Sequence, residues 1–132
     1  MAVCGSCRSV VTFGEEAAAI RGSLSLLPPS RSQLFVGANG SVEGMDFVVL
    51  GRVRYGYERG YWDEWYLQCG DGDTAWISED HEGRVYERLV DGDNATLSYD
   101  PLEPGREVEI EGIGYVVRER DVAHCQGGAG QL

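Results

Sequence analysis

The sequence contains no lysine; its basic residues are all arginine. That removes any phosphate loop of the G-x-x-x-x-G-K-[ST] type, whose lysine reaches the phosphates. Histidine is scarce as well: His81 and His124 are the two present, and neither sits in surroundings that suit a hydrolytic triad. No apolar run approaches the roughly 20 residues that a membrane helix needs, so no insertion into a bilayer is expected. The N-terminal segment MAVCGSCRSVV lacks the charged start and long apolar centre of a signal peptide, and the expected location is cytoplasmic. No G-x-G-x-x-G follows a strand and opens a helix. The segment DGDTAWISE starts like a calcium loop but puts Ala75, Trp76 and Ile77 where ligands or the turn glycine belong. Asp63 and Glu64 are neighbours on a strand, so they face opposite ways and form no catalytic dyad. Together these absences point away from an enzyme.

Positive charge is also in short supply. Twenty-two acids against 11 arginines leave a net charge of −11. Phosphate backbones and anionic headgroups both call for a basic face, which argues against nucleic acid and against adsorption to lipid. A cationic partner is favoured electrostatically. Otherwise the surplus acid serves solubility.

The 4 cysteines are Cys4 and Cys7 in a C-x-x-C, and Cys69 and Cys125 in isolation. A closed tetrahedral zinc site needs four ligands, so Cys4 and Cys7 are half of one. His124 and Cys125 are the residues that could complete it, although nothing in the spacing joins them. A redox role would want a helix after the C-x-x-C, and RSVVTF reads as a strand. No cofactor other than zinc at Cys4 and Cys7 comes into consideration.

What is present is β in character. The 132 residues suffice for one domain or two very small ones. Val10 to Phe13 reads as a short strand, GEEAAAIRGSLSLL as the best helical stretch, and PPSRSQ as a linker. We therefore expect an N-terminal appendage over 1–31, a β domain over 32–124 with sub-units 36–90 and 95–119, and a flexible tail over 125–132. The expected fold is mostly β: a twisted antiparallel meander forming a small barrel or sandwich, with two similar β units. The second expectation rests on a weak repeat. SVEGMDFVV (Ser41 to Val49) and EIEGIGYVV (Glu109 to Val117) align without gaps, each reading as strand, tight turn at glycine, strand.

All three tryptophans fall in YERGYWDEWYLQCGDGDTAWISED, from Tyr57 to Asp80. If Tyr57 faces Tyr61 across a hairpin, Val53 lies opposite Trp65, Tyr55 opposite Asp63, and Val49 opposite Cys69. That face should be core, with Trp65, Leu67 and Trp76 as anchors. The other face then pairs Arg54 with Glu64 and sets Arg52 on Tyr66, and Trp62 lies over Gly56. This register accounts for much of the run without a ligand. The same face also offers a binding site. Trp62, Glu64 and Tyr66 alternate, so all three point one way, and aromatic rings beside a carboxylate suit an organic cation. Arg52 and Arg54, expected on that face, would compete with such a ligand.

The stretch from Gly40 to Glu87 resembles a bacterial family, the domain of unknown function 4178. The matching blocks are Gly51-Arg52-Val53-Arg54-Tyr55, then Trp62-Asp63-Glu64-Trp65-Tyr66-Leu67, then Asp71-Gly72 through Trp76-Ile77-Ser78-Glu79. The likeness covers roughly Val36 to Leu89, with a weaker part through GYVVRERDVAHCQGGAGQL. Some members carry a zinc ribbon with two C-x-x-C knuckles; Cys4 and Cys7 match one knuckle, and the second is missing. The resemblance implies no established activity, and a link to polyamine-forming enzymes and small membrane proteins. The expected function is a non-catalytic binding or assembly module with a protein partner, in a membrane-associated multi-protein system. The alternatives are a binder of an organic cation such as a polyamine, built on Trp62, Glu64 and Tyr66, and an accessory domain of an enzyme.

Overall fold

Alternation of apolar and polar residues with short glycine turns leads to strands, and among the described residues every regular element is one. The computed structural model describes residues 2–3, 9–13, 18–23, 27–89 and 102–132, with side chains in 27–89 and 102–132. Cys4 and Cys7 lie outside the described residues, as does the whole of the DGDNATLSYD segment, 91–100. The first strands are β1 (Ala2–Val3), β2 (Ser9–Phe13) and β3 (Ala18–Ser23). Next come β4 (Asn39–Val42), β5 (Met45–Tyr57), β6 (Gly60–Cys69), β7 (Thr74–Glu79) and β8 (Arg84–Arg88). The chain ends with β9 (Glu107–Ile110), β10 (Ile113–Val116) and β11 (His124–Gln131).

The main sheet runs in the order β3-β2-β1-β11-β5-β6-β7-β8, with β4 also paired to β5. It is antiparallel and curls into a half-barrel, and β9 and β10 form a separate small sheet. The expected mostly-β meander is therefore the observed fold. The chain divides into two compact units, one of residues 1–89 with 123–132, the other of 90–122.

Two expectations need correcting here. Residues Ala18–Ser23, inside the stretch read as helical, are strand β3 on β2. Gly22 weakens a helix, and the valine-rich β2 next to it offers a ladder instead. The segment read as a flexible tail is β11, held between β1 and β5. Its glycines are there for close approach. Gly130 has φ 75°, and a Cβ on it would collide with the Leu50 carbonyl. A Cβ on Gly51 would likewise meet the Gln131 carbonyl. Composition alone reads such glycines as looseness; the fold uses them to bring two backbones together.

The core of the main sheet is Phe47, Val49, Trp65, Leu67, Cys69, Ala75 and Ile77, closed by Ala38. Trp65, Leu67 and Val49 are the largest fully buried side chains. Each such side chain contributes roughly 1.5–3 kcal/mol through removal from water. Along β6 the burial follows period two, with Asp63, Trp65, Leu67 and Cys69 inside as expected.

Along β5 it does not. Tyr57 pairs with Gly60 rather than Tyr61, because Glu58 and Arg59 make a two-residue turn, the commonest hairpin connection. A bulge at Leu50 then shifts the register once more, between Val49 opposite Leu67 and Gly51 opposite Tyr66. Phe47 and Val49 face the core before the bulge, and Arg52 and Arg54 occupy that side after it. Arg52 lies opposite Trp65, Arg54 opposite Asp63, and Tyr55 opposite Trp62.

Candidate functional site

The bulge sorts the residues of β5 to β8 into two chemically different faces. On the core side, Arg54, Asp63, Glu79 and Arg84 form one row across four strands. Arg52 donates from Nη2 to Asp63 Oδ2 at 2.9 Å, and Arg54 donates from Nε to Asp63 Oδ1 at 2.7 Å. Burial pushes the Asp63 carboxyl up, but these hydrogen bonds outweigh it and hold the group below its ordinary value. The Arg54 guanidinium is raised by the same bond to Asp63, against the opposing effect of burial. Arg84 Nε donates to Glu79 Oε2. Residues 27–38 cross this end of the sheet: Ser32 Oγ donates to Glu79 Oε2 at 2.9 Å, and Arg52 Nη1 donates to the Pro28 carbonyl at 2.9 Å. A groove of about 640 Å³ lies beside the row, lined by Arg31, Arg54, Tyr61, Asp63, Glu79 and Arg84 among others. Asp63 has both oxygens engaged and a lowered pKa, which makes it a clamp for two arginines and a poor general base near neutral pH.

The opposite face is aromatic and acidic. Tyr55 stacks on Trp62 with ring centroids 5.4 Å apart, and Tyr57 meets Trp62 edge-on at 5.3 Å. Tyr66 lies against Trp76 at 4.7 Å. Glu64 falls between the two aromatic groups and accepts a hydrogen bond from Trp62 Nε1 at 3.0 Å. Glu87 accepts from Ser78 Oγ at 2.7 Å on the same face. The Tyr55 hydroxyl is pushed up by burial, then by the Glu64 carboxylate and by Cys125. Trp62, Glu64, Tyr66 and Trp76 are all half-buried.

Trp62, Glu64 and Tyr66 thus share one face, as their alternation requires. Their expected neighbours differ. Arg54 is bound to Asp63 and not to Glu64, and Arg52 lies over the Trp65 ring at 5.2 Å and not over Tyr66. Arg52 and Arg54, expected beside the three, are on the other face. Trp62 stacks on Tyr55, and the side chain crowding Gly56 is that of Gln126 from β11. Trp76, expected as a core anchor, belongs to the aromatic face because it pairs with Tyr66. The sequence reading missed Tyr55 as a member of this face. It also missed the whole charged row on the core side. The signal for both was Gly51, which marks the close approach beside the bulge.

Among the described residues no group of three or more His, Cys, Asp or Glu is placed to hold a metal ion. Nor is any helix among them long and apolar enough to cross a membrane. A family model described as Domain of unknown function (DUF4178) matches residues 36–131. No curated protein and no solved structure matches the chain.

Proposed function

We propose, for a chain that belongs to the DUF4178 family, a non-catalytic binding module that takes an organic cation such as a polyamine on its aromatic face. The observation that carries this reading is the bulge at Leu50. It sets Arg52 and Arg54 on the face opposite Trp62, Glu64 and Tyr66. The arginines of β8, Arg84 and Arg88, pair with Glu79 and Ala75 and share that opposite side. The competition expected from Arg52 and Arg54 is therefore gone from the face that would take the ligand. What remains there is two aromatic groups flanking the Glu64 carboxylate, with Glu87 beside them and Arg59 over the Tyr57 ring at one end. Rings attract a cation through their negative faces, and a carboxylate between them supplies the charge. Successive side chains on one face of a strand stand about 6.7 Å apart, so a flexible cation can lie along Trp62, Glu64 and Tyr66 together.

Calorimetric titration with spermidine at low and at moderate salt, repeated on Trp62→Ala, tests the reading. Saturable binding that survives about 0.15 M salt and disappears in the variant supports it. Binding that fades with salt and ignores Trp62 belongs to a diffuse acidic surface and ends the proposal. Trp62 is half-buried and its stacking partner Tyr55 remains in the variant, so circular dichroism should report an unchanged fold.

A further inference from the structure

The hairpins β4–β5 and β9–β10 are two copies of one backbone motif, and the correspondence is longer than the sequence likeness. Glu43 and Gly44 turn the first with φ 50° and 79°; Glu111 and Gly112 turn the second with φ 52° and 75°. Val42 pairs with Met45, and Ile110 with Ile113. Before each hairpin stands the same glycine turn. Ala38 N donates to the Phe35 carbonyl at 2.9 Å, and Arg106 N to the Glu103 carbonyl at 3.0 Å. The glycines of these turns, Gly37 and Gly105, have φ 93° and 90°. Each turn closes on the second strand through the same bonds: Gly37 N to Val49 O and Val49 N to Ala38 O, then Gly105 N to Val117 O and Val117 N to Arg106 O.

The copies differ at their outer edge. In the first, Gly70 N donates to the Asp46 carbonyl at 2.8 Å and Val48 pairs with Gln68 of β6. The corresponding residues of the second copy are Gly114 and Val116. Among the described residues neither has a backbone partner on that side, where β10 is the outer strand of a two-stranded sheet. Ile113, Tyr115 and Val116 are exposed. A two-stranded hairpin is marginal alone, and three or more strands are needed for independent stability.

Charge and exposed apolar side chains together select the edge and its occupant. The main sheet ends at β3, which carries Arg21, and at β8, which carries Arg84, Glu87 and Arg88; its outer strand β4 is uncharged but presents Asn39 and Ser41, and β9 carries Glu107 and Glu109. Charges of this kind blunt an edge against pairing. β10 carries none. Two β9 edges brought together would set carboxylate against carboxylate, whereas two β10 edges bring no charge at all. We infer that β10 pairs antiparallel with β10 of a second copy of this chain, about a two-fold axis at Tyr115. Gly114 and Val116 exchange hydrogen bonds across the axis, Tyr115 faces its own counterpart, and Ile113 faces Val117. Each outward group then has the partner that Asp46 and Val48 have in the first hairpin. The register also carries Arg118 of one copy to the Glu111–Gly112 turn of the other, opposite charge to opposite charge. An isologous contact of this kind closes on itself and yields a dimer.

Sedimentation equilibrium of the whole chain tests this. A contact this small belongs to weak complexes, so the wild type should pass from monomer to dimer between about 5 and 500 µM. Tyr115→Arg and Tyr115→Glu each place like charges directly opposite across the axis and should weaken dimerisation at least about tenfold. An equimolar mixture of the two places opposite charges there and should restore association, which a variant that had merely lost its hairpin could not do. A wild type that stays monomeric throughout, a dimer indifferent to both substitutions, or a mixture that fails to associate would each overturn the proposal.

Discussion

Phe47 and Tyr115 hold the same position in two hairpins of the same design, yet one is 7% exposed and the other 48%. The turns, the φ angles and the cross-strand bonds agree between the copies, so local residues suffice to set this backbone. Burial is another matter. Phe47 has β6 beside it and Trp65, Leu67 and Cys69 among its core companions. The β9–β10 sheet has no third strand among the described residues. Conformation is thus written locally, while the free energy that holds it comes from neighbours supplied by the rest of the fold.

The sharpest way to break that comparison is to truncate the same position in both copies. Phe47→Ala should cost about 4 kcal/mol, read from urea unfolding followed by tryptophan fluorescence at low concentration. Tyr115→Ala should stay within about 0.5 kcal/mol in the same assay. Equal losses would mean that the second hairpin is as well buried as the first. The next effect concerns the charged row, for which the second hairpin has no counterpart on its strands. Asp63→Asn should cost about 3 kcal/mol, because Arg52 and Arg54 stay buried without their counter-charge. Asp63 has a folded pKa below its ordinary value. Its contribution is therefore fully present above the unfolded value and is lost as pH falls through the folded one. Wild-type stability should drop below about pH 4 more steeply than that of the variant; parallel curves would remove Asp63 from the account.

The smallest effect sharpens the local half of the comparison. Gly44→Ala and Gly112→Ala force alanine into the same left-handed conformation, at roughly 1–2 kcal/mol each. The first should lower the urea midpoint of the main sheet. The second should leave that midpoint in place and speed amide exchange of Ile110 and Ile113 alone. A change in global stability from Gly112→Ala would show that the two units unfold together.

Much of this was legible in the sequence, for a reason visible in the residues themselves. The alternation Asp63, Trp65, Leu67, Cys69 and the paired Glu-Gly turns are local signals, and strand periodicity turns them directly into faces. Trp62, Glu64 and Tyr66 shared a face for the same reason. What could not be read depends on pairing at a distance. The role of Gly51 and Gly130 appears only when β11 lies against β5, and Leu50 becomes a bulge rather than one more apolar residue only when β5 lies against β6. With that bulge went the sides of Arg52, Arg54 and Tyr55. The misassigned helix failed for a related reason: Ala18–Ser23 has the alanine content of a helix but lies beside a strand that can take it.

The bulge leaves one more consequence. Leu50 acts as a phase marker in the chain, and every side chain from Arg52 to Tyr57 takes its side of the sheet from that one extra residue. Pairing Leu50 directly opposite Tyr66, with the bulge ironed out and every residue kept, would exchange the inner and outer sets. Val53 and Tyr55 would then face Asp63 and Trp65, and two guanidinium groups would emerge among the tryptophans. The molecule would retain every amino acid it has and lose the separation of Arg52 and Arg54 from the Trp62 face. For a sheet built this way, the chemistry of both faces is most sensitive to how position 50 is paired, well ahead of any substitution of the side chains themselves.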